Sequence, residues 1–109
     1  MVGRKGINEV RRKLALFKDR LDREGIDNAK YILFGSWAKG TPHKFSDIDV
    51  CVVSDKFSGN AFEDSTKLRL LTIGIDDLLE PVAMRPEDLK DKYSTLAAEI
   101  NKYGVSLKL

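Results

Sequence analysis

The sequence predicts an α/β (α+β) fold, a small mixed β-sheet with helices packed against it, and three observations lead there. Apolar residues recur at steps of three and four near the start, at Ile7, Val10, Leu14, Phe17 and Leu21, which marks one face of an amphipathic helix. Two short runs rich in apolar and β-branched residues follow, Tyr31 to Phe34 and Asp47 to Val53, with the length of strands rather than of helices. Helical and strand-like segments then alternate to the end, so neither an all-helical nor an all-strand core accounts for the pattern.

Taken in order, the first helix covers about residues 7 to 24, and Gly25 stands where a C-terminal cap belongs. Tyr31-Ile32-Leu33-Phe34 is a buried strand that stops at Gly35. Residues 35 to 46 hold Gly, Ser, Thr and Pro and form a turn and loop, with a helix start just after Gly35-Ser36. Asp47 to Val53 is the second strand. After a polar loop at 54 to 60, Phe62, Leu68, Leu71 and Ile75 suit a helix over about 61 to 73. Leu78 to Met84 is a third strand, and Pro81 within it requires an edge position or an interruption. Pro86-Glu87-Asp88 opens a short helical turn. Leu96, Ile100 and Tyr103 share one side of a last helix that Gly104 ends, and residues 105 to 109 form a short final strand.

The 109 residues suffice for one compact domain over 1–109. So small a core leaves a thin margin of stability, and a partner or a second copy would add buried surface. Nineteen Lys and Arg against seventeen Asp and Glu give a net charge of +2, which offers no argument for a dedicated nucleic-acid binder. The single cysteine, Cys51, excludes an internal disulfide framework and a multi-cysteine zinc site. No apolar run approaches the roughly 18 residues of a membrane span, and no apolar stretch follows the basic start, so the cytoplasm is the expected compartment.

The chemistry concentrates between Gly35 and Val50. Residues two apart on a strand point to one side, so Asp47 and Asp49 project together while Ile48, Val50 and Val52 project to the other. Two carboxylates this close oppose each other's ionisation. A divalent cation resolves that repulsion, and two carboxylates with phosphate oxygens and water make a natural Mg²⁺ site. Alone, the triplet also suits two solvated acids at a strand entrance. Gly35-Ser36 adds a second feature: a strand, a glycine turn and a helix start, where backbone N–H groups meet an anion. Gly35 and Gly40 have the spacing of a P-loop, but Thr41-Pro42 stands where that motif needs Lys-Ser/Thr.

Together, Phe34-Gly35-Ser36-Trp37-Ala38-Lys39-Gly40 and Ser46-Asp47-Ile48-Asp49-Val50, with ten residues between Ser36 and Asp47, resemble the signature of the DNA polymerase beta nucleotidyltransferase superfamily, in particular its minimal nucleotidyltransferases (MNT). The likeness extends to Leu79-Glu80-Pro81-Val82-Ala83-Met84 and to the stretch from Glu99-Ile100 to Gly104-Val105. It implies a polymerase-beta-like nucleotidyltransferase fold. It implies that Gly35 and Ser36 hold a triphosphate, with Lys39 nearby, and that Asp47 and Asp49 bind one or two Mg²⁺ ions. A third carboxylate on a neighbouring strand completes such a site: Glu80 is the first candidate, Asp76 or Asp77 the alternatives. Many members carry arginine where this chain has Trp37, which therefore either packs or stacks on a base or partner.

The activity implied is transfer of a nucleoside monophosphate, AMP from ATP, to an acceptor hydroxyl. Minimal members resemble antitoxins paired with HEPN-type toxins, so the implied acceptor is a partner protein. The alternative is a non-catalytic module that neutralises the partner by masking it. His43, the only histidine, is expected to be solvated, as is the run Arg11-Arg12-Lys13 on the first helix.

Overall fold

A computed structural model describes residues 3–43 and 45–109. Helix α1 (Gly3–Arg23) leads to strand β1 (Lys30–Phe34) and a single helical turn, α2 (Ser36–Lys39). Strand β2 (Ile48–Val53), helix α3 (Ala61–Leu70) and strand β3 (Leu79–Met84) follow. A 3₁₀ turn (Pro86–Lys90), helix α4 (Thr95–Tyr103) and strand β4 (Val105–Leu107) complete the chain. The α+β class and the expected order of elements hold.

The four strands form one sheet in the order β3-β2-β1-β4. Strand β1 runs antiparallel to β2 and to β4, whereas β2 and β3 are parallel, so the sheet is mixed. β3 is an edge strand, which is how Pro81 is tolerated: a proline has no N–H for a neighbour, and the edge asks for none.

The alternation along β2 divides the core in two. Ile48, Val50 and Val52 face α1, where they meet Val10, Leu14, Phe17 and Leu21, with Leu68 of α3 closing the cluster. The predicted helical stripe is therefore the one that is buried, and each such side chain contributes about 1.5–3 kcal/mol relative to exposure. Phe17 sits edge-on to Tyr31, ring centroids 6.5 Å apart. The opposite face carries Cys51 and Val53 beside Phe34 and Met84, covered by Ile100 of α4, with Leu89 and Leu96 packed around them. Asp49 lies in line with Cys51 and Val53 on this second face.

Local chemistry sets the helix ends. The Asn60 side chain accepts the Glu63 N–H at 3.1 Å and so caps α3. The Ser94 hydroxyl accepts the Ala97 N–H at 3.0 Å and caps α4. Gly104 closes α4 with its N–H 2.8 Å from the Ile100 carbonyl. A Cβ on Gly104 would stand 2.6 Å from Cγ2 of Ile32, so glycine is what lets α4 turn directly into β4.

The structure departs from the sequence expectation at several element ends, among them two boundaries and one side chain that bear on the site. Helix α3 ends at Leu70 instead of near 73, because the chain enters successive turns over 71–75. The Arg20 guanidinium accounts for this, donating to the Leu71 carbonyl at 3.0 Å and also to that of Ile73. Strand β2 begins at Ile48, leaving Asp47 one residue ahead of it, since the ladder with β3 starts at the pair Ile48–Leu79. Arg11 is exposed, and Arg12, also exposed, pairs with Glu9. Lys13 is not simply solvated: it forms an ion pair with Asp76 and ties α1 to the loop before β3.

A carboxylate cluster beside a glycine turn

Gly35 ends β1 with φ +72 and ψ −151, a backbone conformation that a side chain strongly disfavours. Space is also closed: a Cβ there would lie 2.2 Å from Oδ2 of Asp49. The sharp turn thus brings backbone directly against the Asp49 carboxylate and starts α2 at Ser36. The first N–H groups of a helix have no carbonyl acceptor within it. At the other end of α2 the Lys39 N–H reaches back to the Gly35 carbonyl at 3.1 Å. In the loop after α2 the Ser46 hydroxyl accepts the His43 N–H at 2.8 Å, just ahead of Asp47 and Asp49. His43 is exposed, as expected.

Asp49 is half-buried, and among the described residues no hydrogen bond or cation partners its carboxylate. Burial raises its pKa, and the negative charges of Asp47, Glu80 and Glu99 raise it further. Four carboxylates therefore share one electrostatic neighbourhood. Glu80 is there by register, directly beside Asp49 across the parallel β2–β3 pair. Its side chain is turned to Arg69 of α3, with which it forms an ion pair. Among the described residues no three His, Cys, Asp or Glu side chains already converge as a metal cage.

The two alternatives to Glu80 stand differently. Asp76 is committed to structure: Lys13 pairs with one oxygen, and the Leu78 N–H donates to the other at 2.8 Å. Burial pushes its pKa upward, but the Lys13 hydrogen bond, the Leu78 N–H and the Lys13 charge outweigh that and leave it lowered. Asp77 is exposed in the turn before β3.

Lys39 does not lie free beside the turn. Its ammonium stands 3.7 Å from the Glu99 carboxylate and 4.8 Å from the centre of the Tyr103 ring, both on α4. Trp37 packs against the α1-side core, with its indole N–H buried and without an acceptor among the described residues. Cys51 is buried, and its thiol is pushed up to about 12 by burial and by the Asp88 charge, so it has no reactive character. Glu99 is the member of the neighbourhood that sequence reasoning missed, because its position depends on how α4 docks on the sheet.

An open groove lies elsewhere, among Asp27, Lys30, Val53, Lys56, Leu89 and Asn101, at the opposite end of β2 from the acids. Among the described residues no helix is long and apolar enough to cross a membrane.

Comparison with known proteins gives the family and the fold. A crystal structure described as a toxin–antitoxin with AMP-PNP matches with a TM-score of 0.57 and 26% identity, covering 90% of this chain and 72% of that one. A mutant of the toxin–antitoxin MntA–HpeT matches with a TM-score of 0.53 at 22% identity, covering 90% of this chain and 71% of that one, a likeness of fold. No curated protein matches the chain. The model of the nucleotidyltransferase domain matches residues 14–105, nearly the whole sheet with its helices, and the chain belongs to that family.

Proposed function

We propose that this nucleotidyltransferase domain transfers AMP from ATP to a hydroxyl of a partner toxin, in a toxin–antitoxin pair, with Mg²⁺ as its metal. The observation that carries the proposal is Asp49: a half-buried carboxylate without a counter-charge, pressed against the Gly35 turn and surrounded by other acids. Such an arrangement is costly unless a cation completes it. The AMP-PNP in the related toxin–antitoxin structure supports an adenine nucleotide as the donor and a toxin as the partner. A HEPN-type toxin is the partner class proposed here.

The donor set suits Mg²⁺, an oxygen-seeking ion that keeps several waters and needs only one or two protein carboxylates. Asp47 and Asp49 would hold it, and Glu80 would join once it leaves Arg69. When bound, the ion neutralises charge on the phosphates and on the attacking oxygen. The turn at Gly35 and Ser36 receives the triphosphate through backbone N–H groups and the serine hydroxyl. The acceptor hydroxyl attacks the α-phosphorus, its proton passes to a carboxylate of the site or to water, and pyrophosphate departs.

Neutralisation by masking is the second reading, and the Arg69–Glu80 ion pair favours it, because it occupies the expected third carboxylate. Incubation with labelled ATP, Mg²⁺ and the partner toxin separates the two. Label transfer that disappears in Asp49→Ala supports catalysis. Toxin inhibition that persists in Asp49→Ala, without any transfer by the native chain, supports masking and refutes the transferase.

A further inference from the structure

Lys39 ends α2 and stands three residues after Ser36, so both residues share one side of that helical turn. The Lys39 ammonium lies against α4, where Glu99 and Tyr103 stand one helical turn apart. Its 3.7 Å distance to Glu99 Oε1 is an ion pair without a hydrogen bond. Lys39 and Glu99 are 39% and 38% exposed, and a pair so accessible to water is easily exchanged. The Tyr103 ring supplies a second, directionally loose attraction for the same cation. Glu99 also belongs to the neighbourhood that loads negative charge onto Asp49. Lysine carries a compact charge on a flexible stem, and a triphosphate on the Gly35–Ser36 side would present several negative charges to it at once.

We infer that Glu99 and Tyr103 are a parking site for Lys39: the ammonium rests between them in the nucleotide-free protein and transfers to the phosphates when a nucleoside triphosphate enters. Glu99 is then a positioning residue that competes with the nucleotide for Lys39 and so sets affinity. The inference rests on the nucleotidyl-transfer reading and goes beyond it by giving α4 a regulatory part in donor binding.

A double-mutant cycle read by calorimetric titration with Mg²⁺ and AMP-PNP tests it. Glu99→Gln releases Lys39 and should tighten binding roughly threefold, the scale of an exposed ion pair. Lys39→Met should weaken binding roughly tenfold, the loss of a charge-assisted phosphate contact. In the Lys39→Met background, Glu99→Gln should change affinity by less than about 1.5-fold, because the competition is already gone. Equal tightening in both backgrounds would overturn the inference, since Glu99 would then act only as a general negative charge. Weakening by Glu99→Gln would overturn it too, by making Glu99 a direct participant in binding. If no variant binds the nucleotide, the inference and the proposed activity both fall. If the cycle behaves as expected while no AMP reaches any toxin, only the activity falls.

Discussion

Asp49 and Asp76 are two partly buried aspartates that the fold treats in opposite ways. Asp76 is given Lys13, a backbone N–H from Leu78 and a lowered pKa. Asp49 is given a glycine turn, three acidic neighbours and a raised pKa. The first region joins α1 to the entrance of β3 and gains stability from its charge. The second loses stability from its charge, at the start of β2 beside the Gly35 turn. Sites that cost the folded state in this way are where function is expected.

The largest effect should come from closing the gap at the turn. Gly35→Ala combines a positive φ with a Cβ 2.2 Å from the Asp49 carboxylate. It should destabilise by about 2 kcal/mol or more. For a chain of this size that lowers the melting temperature by roughly 10 °C, measurable by calorimetry. Removing the Asp76 counter-charge comes next. Lys13→Ala should cost about 1–2 kcal/mol, because it leaves a part-buried carboxylate with only its backbone donor. Denaturant titration should show that loss while nucleotide transfer by the folded fraction is unchanged.

Asp49→Asn should shift stability in the other direction. Its carboxyl has a raised pKa in the folded chain against an ordinary aspartate value of 3.8. The folded state therefore binds more protons than the unfolded one over that interval, and native stability falls as pH climbs through it. The variant should melt higher than the native chain at neutral pH, and the gap should vanish near pH 3 to within roughly 1 °C. Asp76→Asn should behave conversely. The stabilisation by Asp76 is present above its unfolded pKa and is lost as pH falls through its lowered folded value, so that variant is the less stable one at neutral pH and converges with the native chain in acid. The smallest effect belongs to Arg69→Ala. Its ion pair with Glu80 is largely exposed on the arginine side, so stability should change by less than about 0.5 kcal/mol. Freed from Arg69, Glu80 should improve Mg²⁺ binding if it is the third carboxylate, and titration with Mg²⁺ checks this.

Much of this contrast is legible in the amino-acid sequence. The α1 stripe, the β-branched run of β2, the edge proline in β3 and the Gly35-Ser36 to Asp47-Asp49 spacing all depend on neighbours close in sequence. The parity of β2 correctly sends Val50 and Val52 to one side and Asp49 to the other. What is not legible depends on tertiary docking. Nothing along α4 distinguishes Glu99 from an ordinary exposed glutamate until Ile100 seats that helix beside β1. Nothing in the charge run around Lys13 indicates that its ammonium reaches a residue sixty-three positions away. Periodicity misplaces the end of α3 because Leu71 and Ile75 fit a helix, while Arg20 from another helix holds that segment as turns. Asp47 likewise falls outside β2 because strand pairing, and not residue type, sets where a strand begins.

The uncompensated charge at Asp49, on this reading, exists to hold a metal-bound triphosphate. Titration of the native chain and Asp49→Asn with Mg²⁺ and AMP-PNP near neutral pH tests that claim directly. Saturable binding by the native chain, and none by the folded, higher-melting variant, is the expected result. Equal affinity in the two proteins would contradict it.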